Sequence, residues 1–407
     1  MANTFIGGIK LPKMNLGYEI PTEKFKPSLI QIKLKNGYCA LVSEGEEVKI
    51  GTPLAACEGK EDLVSGISGR AFLSRKEGYI TIENDYLDTL SENSRPIEKS
   101  INEISEEEIK NSLKKMGISL PILKSKRPNH LIVSACEVGA HTSSETRILF
   151  ENSEEVVYGA KIIMKLLGAA EVVFAVPKSM YKAANALAPY LGSRKMMRTK
   201  LVSDKYPQFM PHLLVSSLFN LEINSLKSTE EVGYPTVKAS LCSAVYNALA
   251  KGKPYTEGII TVSNSETSAN FVVPFGTELK ELAAAFENGD SPYCMFVGDG
   301  IDRISIDSEC FTDRNTYSLI INQEKAMAKP HTCIGCGRCH DVCPMKLVPS
   351  LIYEASEKGN HKSSKLLGAE YCIGCGCCNE ICPSGLDLRG KISSEKNFLK
   401  SKETAHE

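Results

Sequence analysis

The chain contains CIGCGRCHDVCP at residues 333–344 and, in the same register, CIGCGCCNEICP at residues 372–383. Both stretches follow the spacing C-x₂-C-x₂-C-x₃-C-P, and nine of the fifteen cysteines fall between Cys333 and Cys382. The opening MANTFIGGIKLPKM lacks the charged start and apolar stretch of a secretory signal, so we expect a reducing compartment. Clustered cysteines in such a compartment indicate metal binding rather than disulfides.

This spacing is typical of proteins that hold two [4Fe–4S] clusters. Three cysteines two residues apart reach three corners of one cubane, and the fourth, three residues further on, points to the other cubane. The first cluster is then predicted to take Cys333, Cys336, Cys339 and Cys382. The second cluster is predicted to take Cys343, Cys372, Cys375 and Cys378.

Structural zinc is the alternative for the same cysteines. Zinc sites normally use paired C-x₂₋₄-C knuckles with four ligands per site, and two four-cysteine runs each followed by proline fit that pattern poorly. Cys377 stands out of register and is predicted to be a spare buried thiol. His331 precedes the first run and His340 lies within it, and the two histidines either tune a cluster through hydrogen bonds to sulfur or lie at the surface.

Length, charge and hydropathy restrict the function classes. A chain of 407 residues is too long for one core, and a net charge of −1 provides no basic field for nucleic acid or anionic lipid. The most apolar region, residues 160–177, is interrupted by charged residues and does not predict a membrane span. We expect a cytoplasmic protein that reaches the inner face of a membrane only by docking in a complex.

Changes in sequence pattern predict five segments. Glycine-punctuated short strands come first, alternating strands and helices follow, then more strands, the cysteine-rich runs and a polar end. The predicted boundaries are a lead-in and β domain at 1–98, a parallel α/β domain at 99–253, a β module at 254–325, a cluster domain at 326–392 and a disordered tail at 393–407.

Several motifs outside the cysteine runs resemble the C subunit of the Rnf electron-transport complex. The motifs are FIGGIKLP (5–12), VKIGTPLA (48–55), VSGISG (64–69), the segment 131–169 beginning LIVSACEVGAHTSSE, KYPQ (205–208), GIITVSN (258–264) and FVVPFGTELKELAAAF (271–286). The resemblance covers about residues 5–390. It implies a barrel-sandwich hybrid β domain, a Rossmann-like parallel α/β domain, a β-grasp ligand-binding (SLBB) module and a two-cluster ferredoxin-like domain.

In that family, and in the related flavin subunit of respiratory complex I, the α/β domain binds FMN and oxidises NADH. A glycine-rich loop, G-x-G-G-x-G-F-P-T, cradles the phosphates there, whereas KKMGISLPILKSKRPNH (114–130) keeps only Gly117. Without several glycines the backbone cannot approach a phosphate closely, which argues against bound FMN and NADH. Glu137 and Glu145 match the family's acidic cofactor-binding positions loosely, and surface carboxylates are the alternative.

The resemblance extends to a branch of the family that is associated with proline reductase. It implies an electron-transfer protein that passes single electrons through both clusters to D-proline reductase from an upstream donor. Two alternatives stay open: an FMN-containing NADH:acceptor oxidoreductase, and a docking scaffold that binds partners through the β-grasp module. No catalytic residue is predicted.

Two further cysteines invite a redox interpretation. Cys57 falls in a turn of the β domain, where an exposed thiol would be a thiol–disulfide contact for a partner. Cys136 follows a predicted buried strand in the α/β domain. The alternative for each is an ordinary thiol without redox function, and we favour it for both.

Overall fold

The computed structural model describes residues 4–11, 21–34, 37–74, 78–97, 103–121, 128–139, 141–192, 196–287, 294–298, 304–306, 310–322 and 330–404. Within these residues the chain forms four β-sheets and an α-helical, cysteine-rich domain.

The N-terminal β domain consists of two small antiparallel sheets. Its strands are β2 (Leu29–Lys33), β3 (Cys39–Ala40), β4 (Glu47–Val48), β5 (Pro53–Ala56), β6 (Leu63–Val64), β7 (Gly69–Ser74) and β8 (Tyr79–Asn84), which follow β1 (Thr22–Lys24). The sheet orders are β2-β8-β7-β4 and β3-β5-β6. In β8 the buried Ile80 and Ile82 alternate with more exposed residues, so one face of the strand forms the core.

The predicted lead-in is not an independent, irregular segment. Strand β1 pairs in parallel with a distant strand at residues 268–274, and residues 4–11 contact the α/β and cysteine-rich domains. The first segment therefore contributes to three parts of the protein, because its backbone groups find partners there. The barrel-sandwich hybrid topology itself stays a prediction.

The α/β domain is built on a four-stranded parallel sheet with helices on both faces. Its elements are α1 (Glu106–Lys115), β9 (His130–Ser134), α2 (Ser144–Glu151), α3 (Ser153–Leu167), β10 (Glu171–Pro177), the 3₁₀ turn Lys178–Met180, α4 (Tyr181–Leu187), the 3₁₀ turn Ala188–Tyr190, β11 (Met197–Val202), α5 (Pro211–Phe219), β12 (Thr236–Lys238) and α6 (Ala239–Lys251). In β10 the run from Val172 to Val176 is buried throughout, as expected of a strand covered on both sides.

The strand order of this sheet, β11-β10-β9-β12, creates a switch point. The chain builds outward from β9 to β10 and β11 and then returns to place β12 on the other side of β9. Loops leaving the carboxyl ends of β9 and β12 diverge there and leave a crevice, which is the usual ligand position in such sheets. The residues at the carboxyl ends of these two strands are Ser134–Glu137 at the end of β9 and Lys238 at the end of β12.

The third unit is a six-stranded sheet with one covering helix. Its elements are β13 (Glu257–Ser263), β14 (Ser268–Pro274), α7 (Leu279–Glu287), β15 (Cys294–Val297), β16 (Ile304–Ile306) and β17 (Ser318–Asn322), arranged with β1 in the order β1-β14-β13-β17-β15-β16. Buried Leu279, Leu282 and Ala283 attach α7 to the sheet. Its identity as a β-grasp ligand-binding module stays a prediction.

The cysteine-rich domain is helical. Its elements are α8 (Arg338–Asp341), α9 (Pro349–Glu357), α10 (His361–Leu366), the 3₁₀ turn Ala369–Tyr371, α11 (Cys377–Glu380) and α12 (Leu388–Thr404). The short helices α8 and α11 each follow the second cysteine of a run, and α9 and α10 fill the interval between the runs.

The predicted disordered tail from residue 393 is wrong for the residues that the structure describes, because α12 continues to Thr404. Ile392 and Leu399 form a narrow buried stripe seven residues apart and pack in one cluster with Ile352 and Ala369. Such a stripe is hidden in a sequence whose other positions are mostly polar.

Among the described residues, no helix has the length and apolar character needed to span a membrane.

Glu155 on α3 ties that helix to α6. Its carboxylate accepts hydrogen bonds from Ser243 (2.6 Å) and Asn247 (2.8 Å) and pairs with Lys251 at 2.6 Å. Burial alone would raise the pKa of Glu155, but hydrogen bonds from Lys251, Ser243, Asn152 and Asn247 outweigh it and lower the pKa to about 2. The ionised carboxylate therefore stabilises the fold.

We expect Glu155→Gln to lower the free energy of unfolding by about 1–2 kcal/mol at pH 7, after allowance for solvent screening. The folded-state pKa is depressed, so the wild-type advantage is present above about pH 4.5 and is lost as the pH falls towards 2. Chemical denaturation followed by far-UV circular dichroism across this range measures it. The exposed neighbour Glu154→Gln is the matched control, and equal pH profiles for the two variants would contradict the assignment.

Candidate functional site

The two cysteine runs adopt the same local fold. Gly337 and Gly376 have φ values of 74° and 78°, in the left-handed region, and each caps the start of the short helix that follows. A side chain would strain the backbone here, so glycine allows the run to curl before the next cysteine. The curl turns the cysteines of each run towards a common centre.

Each centre is a cavity that draws cysteines from both runs. The first cavity is lined by Cys333, Cys336, Cys339 and Cys382. The second cavity is lined by Cys343, Cys372, Cys375 and Cys378. The structure thus brings together the crossed groups that the spacing predicts, and their role as cluster ligands stays a prediction.

The donor chemistry of both cavities fits a [4Fe–4S] cubane. The first cavity is lined by four thiols and the second by five. Both also have apolar side chains in the lining, Leu386 and Leu388 in the first and Ile373 and Ile392 in the second. Among the described residues, no three His, Cys, Asp or Glu side chains converge closely enough to hold a single metal ion. Cys377 is fully buried and also lines the second cavity.

The cavities differ in exposure although their runs are nearly identical in sequence. In the first run, residues 330–338 are all exposed, and Ile334 keeps 69% of its surface in contact with solvent. In the second run, residues 375–378 are all buried. The first candidate cluster therefore lies near the surface, and the second lies inside the protein.

The cover over the second cavity comes from the α/β domain. The Tyr206 hydroxyl donates a 2.7 Å hydrogen bond to the carbonyl oxygen of Cys375. Tyr206 packs with Cys375 and Cys377 in one buried cluster, against Ile373. The KYPQ motif is therefore a contact between the α/β domain and the second cysteine run.

The N-terminal segment completes this cover. Lys205 donates hydrogen bonds to the carbonyl oxygens of Phe5 and of Gly7, the latter at 2.8 Å, and the Gly8 amide donates to the carbonyl of Val342 at 2.8 Å. A Cβ on Gly7 would lie 2.8 Å from the backbone of Cys343. In the sequence FIGGIKLP is only a family signature, whereas in the structure its described residues, 5–11, pack against Tyr206 and the backbone at Val342 and Cys343.

A second candidate site lies in the crevice at the switch point of the parallel sheet. Glu137 accepts a 2.7 Å hydrogen bond from the Thr146 amide through Oε1, while Oε2 is buried without a hydrogen-bond partner. Burial raises the pKa of Glu137 to about 7, the Thr146 amide opposes the shift, and Glu145 adds to it. A carboxyl group with this pKa in a crevice is typical of a functional site.

Glu145 and Lys238 lie at the same crevice. Glu145 accepts hydrogen bonds from the Ser240 amide (2.9 Å) and hydroxyl (2.7 Å), and so it caps the N-terminus of α6. The Lys238 ammonium lies 3.5 Å from the centre of the Tyr317 ring. Burial lowers the pKa of Lys238, and Glu145 and Glu137 oppose this shift. Lys238 was not identified from the sequence, because no motif contains it and only its position at the end of β12 indicates a role.

The other predicted candidates lie elsewhere. Cys136 is buried, and burial raises the pKa of its thiol to about 12, which makes it unreactive. Cys57 is half-buried in the β domain, with Sγ 3.7 Å from the carbonyl of Glu58. His331 is exposed, and His340 Nδ1 lies 2.8 Å from the Leu347 carbonyl.

The position of the family's glycine loop is described only in part, because residues 122–127 lie outside the described residues. Gly117 has a φ of 75° and ends α1, where its amide donates to the carbonyl of Lys114. A Cβ there would lie 3.1 Å from Val64. Gly117 therefore serves the end of the helix, and Glu145 occupies the α6 N-terminus, so neither described position is free for a phosphate group.

Two family models match the chain. A model described as the Nuo51 FMN-binding domain matches residues 115–272, and a 4Fe-4S dicluster domain matches residues 325–383. The first match favours the flavin-containing alternative, whereas the missing glycine loop argues against bound FMN. The second match supports iron–sulfur clusters in the cysteine-rich domain.

Curated relatives with similar sequences belong to oxidoreductase complexes. The C subunit of the proton-translocating ferredoxin:NAD(+) oxidoreductase complex of Clostridium ljungdahlii is 26% identical over 394 residues, which is 90% of this chain and 85% of that protein. The C subunit of the ion-translocating oxidoreductase complex of Buchnera aphidicola (from Acyrthosiphon pisum) is 25% identical over 255 residues, 60% of this chain and 53% of that protein. The chain thus spans about half the length of the latter relative.

Among solved structures, the NAD+-reducing [NiFe]-hydrogenase in the H2-reduced state superimposes with a TM-score of 0.48. The identity is 12%, and the match covers 75% of this chain and 63% of that chain.

We expect Cys382→Ser and Cys333→Ser to alter one low-temperature EPR signal, and Cys343→Ser to alter the other. The reason is that the first cavity contains Cys382 and the second contains Cys343. Each variant should lose up to about half of the iron. Cys377→Ser is the control and should retain both signals. A Cys382→Ser spectrum that matches Cys343→Ser would contradict the crossed grouping.

We expect Glu137→Gln to raise the free energy of unfolding at pH 8 by about 1–3 kcal/mol. The folded-state pKa is raised, so wild-type stability falls as the pH rises from about 4.5 to about 7, and the glutamine variant lacks this loss. Anaerobic thermal denaturation between pH 5 and pH 8.5 measures it. The exposed Glu266→Gln is the control, and parallel wild-type and Glu137→Gln profiles would refute the burial of this carboxyl group.

Proposed function

We propose that this chain, which is similar to the Rnf C subunit, is an electron-transfer protein with two [4Fe–4S] clusters. Electrons pass between the α/β domain and the second cluster, cross to the first cluster, and leave to a redox partner. The observation that carries this proposal is the unequal burial of two nearly identical cysteine runs. The buried run contacts the α/β domain through Tyr206, and the exposed run is open to solvent.

The order of transfer follows from access. A partner protein reaches the first cluster at residues 330–338, which are exposed. The second cluster is covered by residues 4–11 and 205–210, so its accessible neighbours are the α/β domain and the first cluster. This arrangement makes the second cluster the inner relay and the first cluster the outer relay.

A flavin in the α/β domain is part of the proposal, although the missing glycine loop argues against bound FMN and NADH. The match of residues 115–272 to an FMN-binding domain supports it. At the switch point, the Glu137 carboxyl group and the half-buried Lys238 ammonium offer an acceptor and a cation to a flavin ring. When bound, FMN converts two-electron hydride chemistry into single-electron steps.

The protein's own groups define what such a site would do. Lys238 supplies positive charge at the crevice, where burial removes competing water, and Glu137 holds a proton close to neutral pH. Glu145 is engaged with Ser240 and so positions the start of α6 beside the crevice. Any phosphate contact must come from outside the described positions of Gly117 and the α6 N-terminus.

The physiological partners are proposed at two levels. Named relatives are subunits of ion-translocating and ferredoxin:NAD(+) oxidoreductase complexes, so we propose that this chain also works in a complex and associates peripherally with a membrane through it. The motif resemblance adds D-proline reductase as the acceptor and NADH, or a carrier reduced by it, as the donor. Neither of these two relatives is named for proline reductase, so sequence motifs alone support this acceptor.

Cofactor analysis of anaerobically purified protein tests the proposal. We expect about eight irons, about eight acid-labile sulfides and about one FMN per chain. Addition of NADH should bleach the flavin band and produce EPR signals from reduced clusters. Clusters without flavin would refute the flavin site alone, whereas absence of iron and sulfide would refute the electron-transfer function.

Lys238→Met provides the site-specific arm of this test. We expect weaker flavin retention, about tenfold, with iron and sulfide unchanged, because Lys238 lies at the switch point of the parallel sheet and lines neither cysteine cavity. Lys110→Met, an exposed lysine on α1 of the same domain, is the matched control. Equal flavin contents in the two variants would contradict the assignment of the crevice.

A further inference from the structure

The C-terminal helix α12 places a positive charge beside the second cysteine cavity. The Lys396 ammonium donates a 2.7 Å hydrogen bond to the carbonyl oxygen of Cys372. The helix is held in register by Ile392 and Leu399, which are buried against Ile352 and Ala369. Lys396 is half-buried, so its position is a consequence of helix packing.

Tyr206 places a second donor beside the same cavity, from a different domain. Its hydroxyl, which is buried, donates to the carbonyl of Cys375 at 2.7 Å. Cys372 and Cys375 are adjacent cysteines of one run, so the two donors polarise neighbouring peptide groups of one cavity. Both donors lie outside the cysteine run itself.

The first cavity has a different electrostatic environment. Arg338 lines it, and Arg389 lines the second cavity. Arg338 is exposed, and water screens its charge, whereas Lys396 and Tyr206 act on a buried run. The first run therefore depends on solvent for charge compensation, and the second run depends on fixed donors from α12 and the α/β domain.

Reduction adds one negative charge to a cluster, so a nearby cation or donor dipole favours the reduced form. Burial works in the opposite direction, because a low-dielectric surrounding disfavours added charge. We propose that Lys396 and Tyr206 raise the reduction potential of the second cluster and so offset its burial. The two residues keep the inner relay reducible by the donor in the α/β domain. The inference rests on the proposed function.

The test is an EPR-monitored redox titration of the whole protein, with the two signals assigned through the cysteine variants. In Lys396→Met we expect reduction of the second cluster to become about tenfold less favourable, a shift of about 59 mV to more negative potential for one electron. In Tyr206→Phe we expect a smaller shift of the same sign, about threefold. The first cluster should keep its potential in both variants.

Matched controls separate a local charge effect from a general one. Lys402→Met removes the same charge from the exposed end of α12 and should leave both potentials unchanged. Tyr158→Phe removes a distant hydroxyl and should do the same. Lys396→Arg retains the charge and should restore the wild-type potential, which a purely structural role of the side chain would not predict.

A negative shift confined to the second cluster supports the inference, and unchanged potentials or equal shifts of both clusters overturn it. If Lys396→Met does not retain about eight irons per chain, the inference is tested with Tyr206→Phe instead, by the same shift in the potential of the second cluster. A wild-type protein with both signals but unshifted variants refutes only this inference. A wild-type protein without clusters refutes the proposed function.

Discussion

The contact between the KYPQ loop and the second cysteine run is the interaction on which the rest of the site depends. Tyr206 reaches the Cys375 carbonyl, and Lys205 holds the carbonyls of Phe5 and Gly7, so three distant parts of the chain meet at one cavity. This contact excludes water from one of two otherwise equivalent cysteine runs. It therefore gives the pair of candidate clusters an inner and an outer member.

The crevice of the α/β domain is formed by strand order and not by a contact between domains. Its sheet returns on itself at β9 and β12, which leaves space beyond Ser134 and Lys238. The chain fills part of this space with its own charges: Glu145 takes the helix N-terminus, while Glu137 and Lys238 are half-buried and have shifted pKa values. Partly desolvated charges of this kind are costly, which supports our proposal that a ligand binds here.

The match to the FMN-binding domain model weakens the inference, drawn from the sequence, that FMN does not bind. The loss of the glycine loop argued against FMN, yet that model covers residues 115–272. A missing phosphate cradle removes one set of contacts, but a cofactor is also recognised at its ring. We propose that Glu137 and Lys238 contact the flavin ring. Lys238 lies in no motif that would identify it from the sequence.

The cysteine grouping could be predicted from the sequence. Three cysteines of each run are separated by two residues, so local backbone geometry brings them together, and in the two-cluster spacing pattern the fourth points to the other centre. The alternation of helices and strands was also local information. Three features required the tertiary structure: the burial of the second run, the charges beside it, and the helix at Leu388–Thr404. Each depends on contacts between residues far apart in sequence, as with Tyr206 and Cys375, which are 169 positions apart. Local pattern carries no record of such contacts, so it indicated the cofactor chemistry, while packing alone decided which cysteine run is buried and which is exposed.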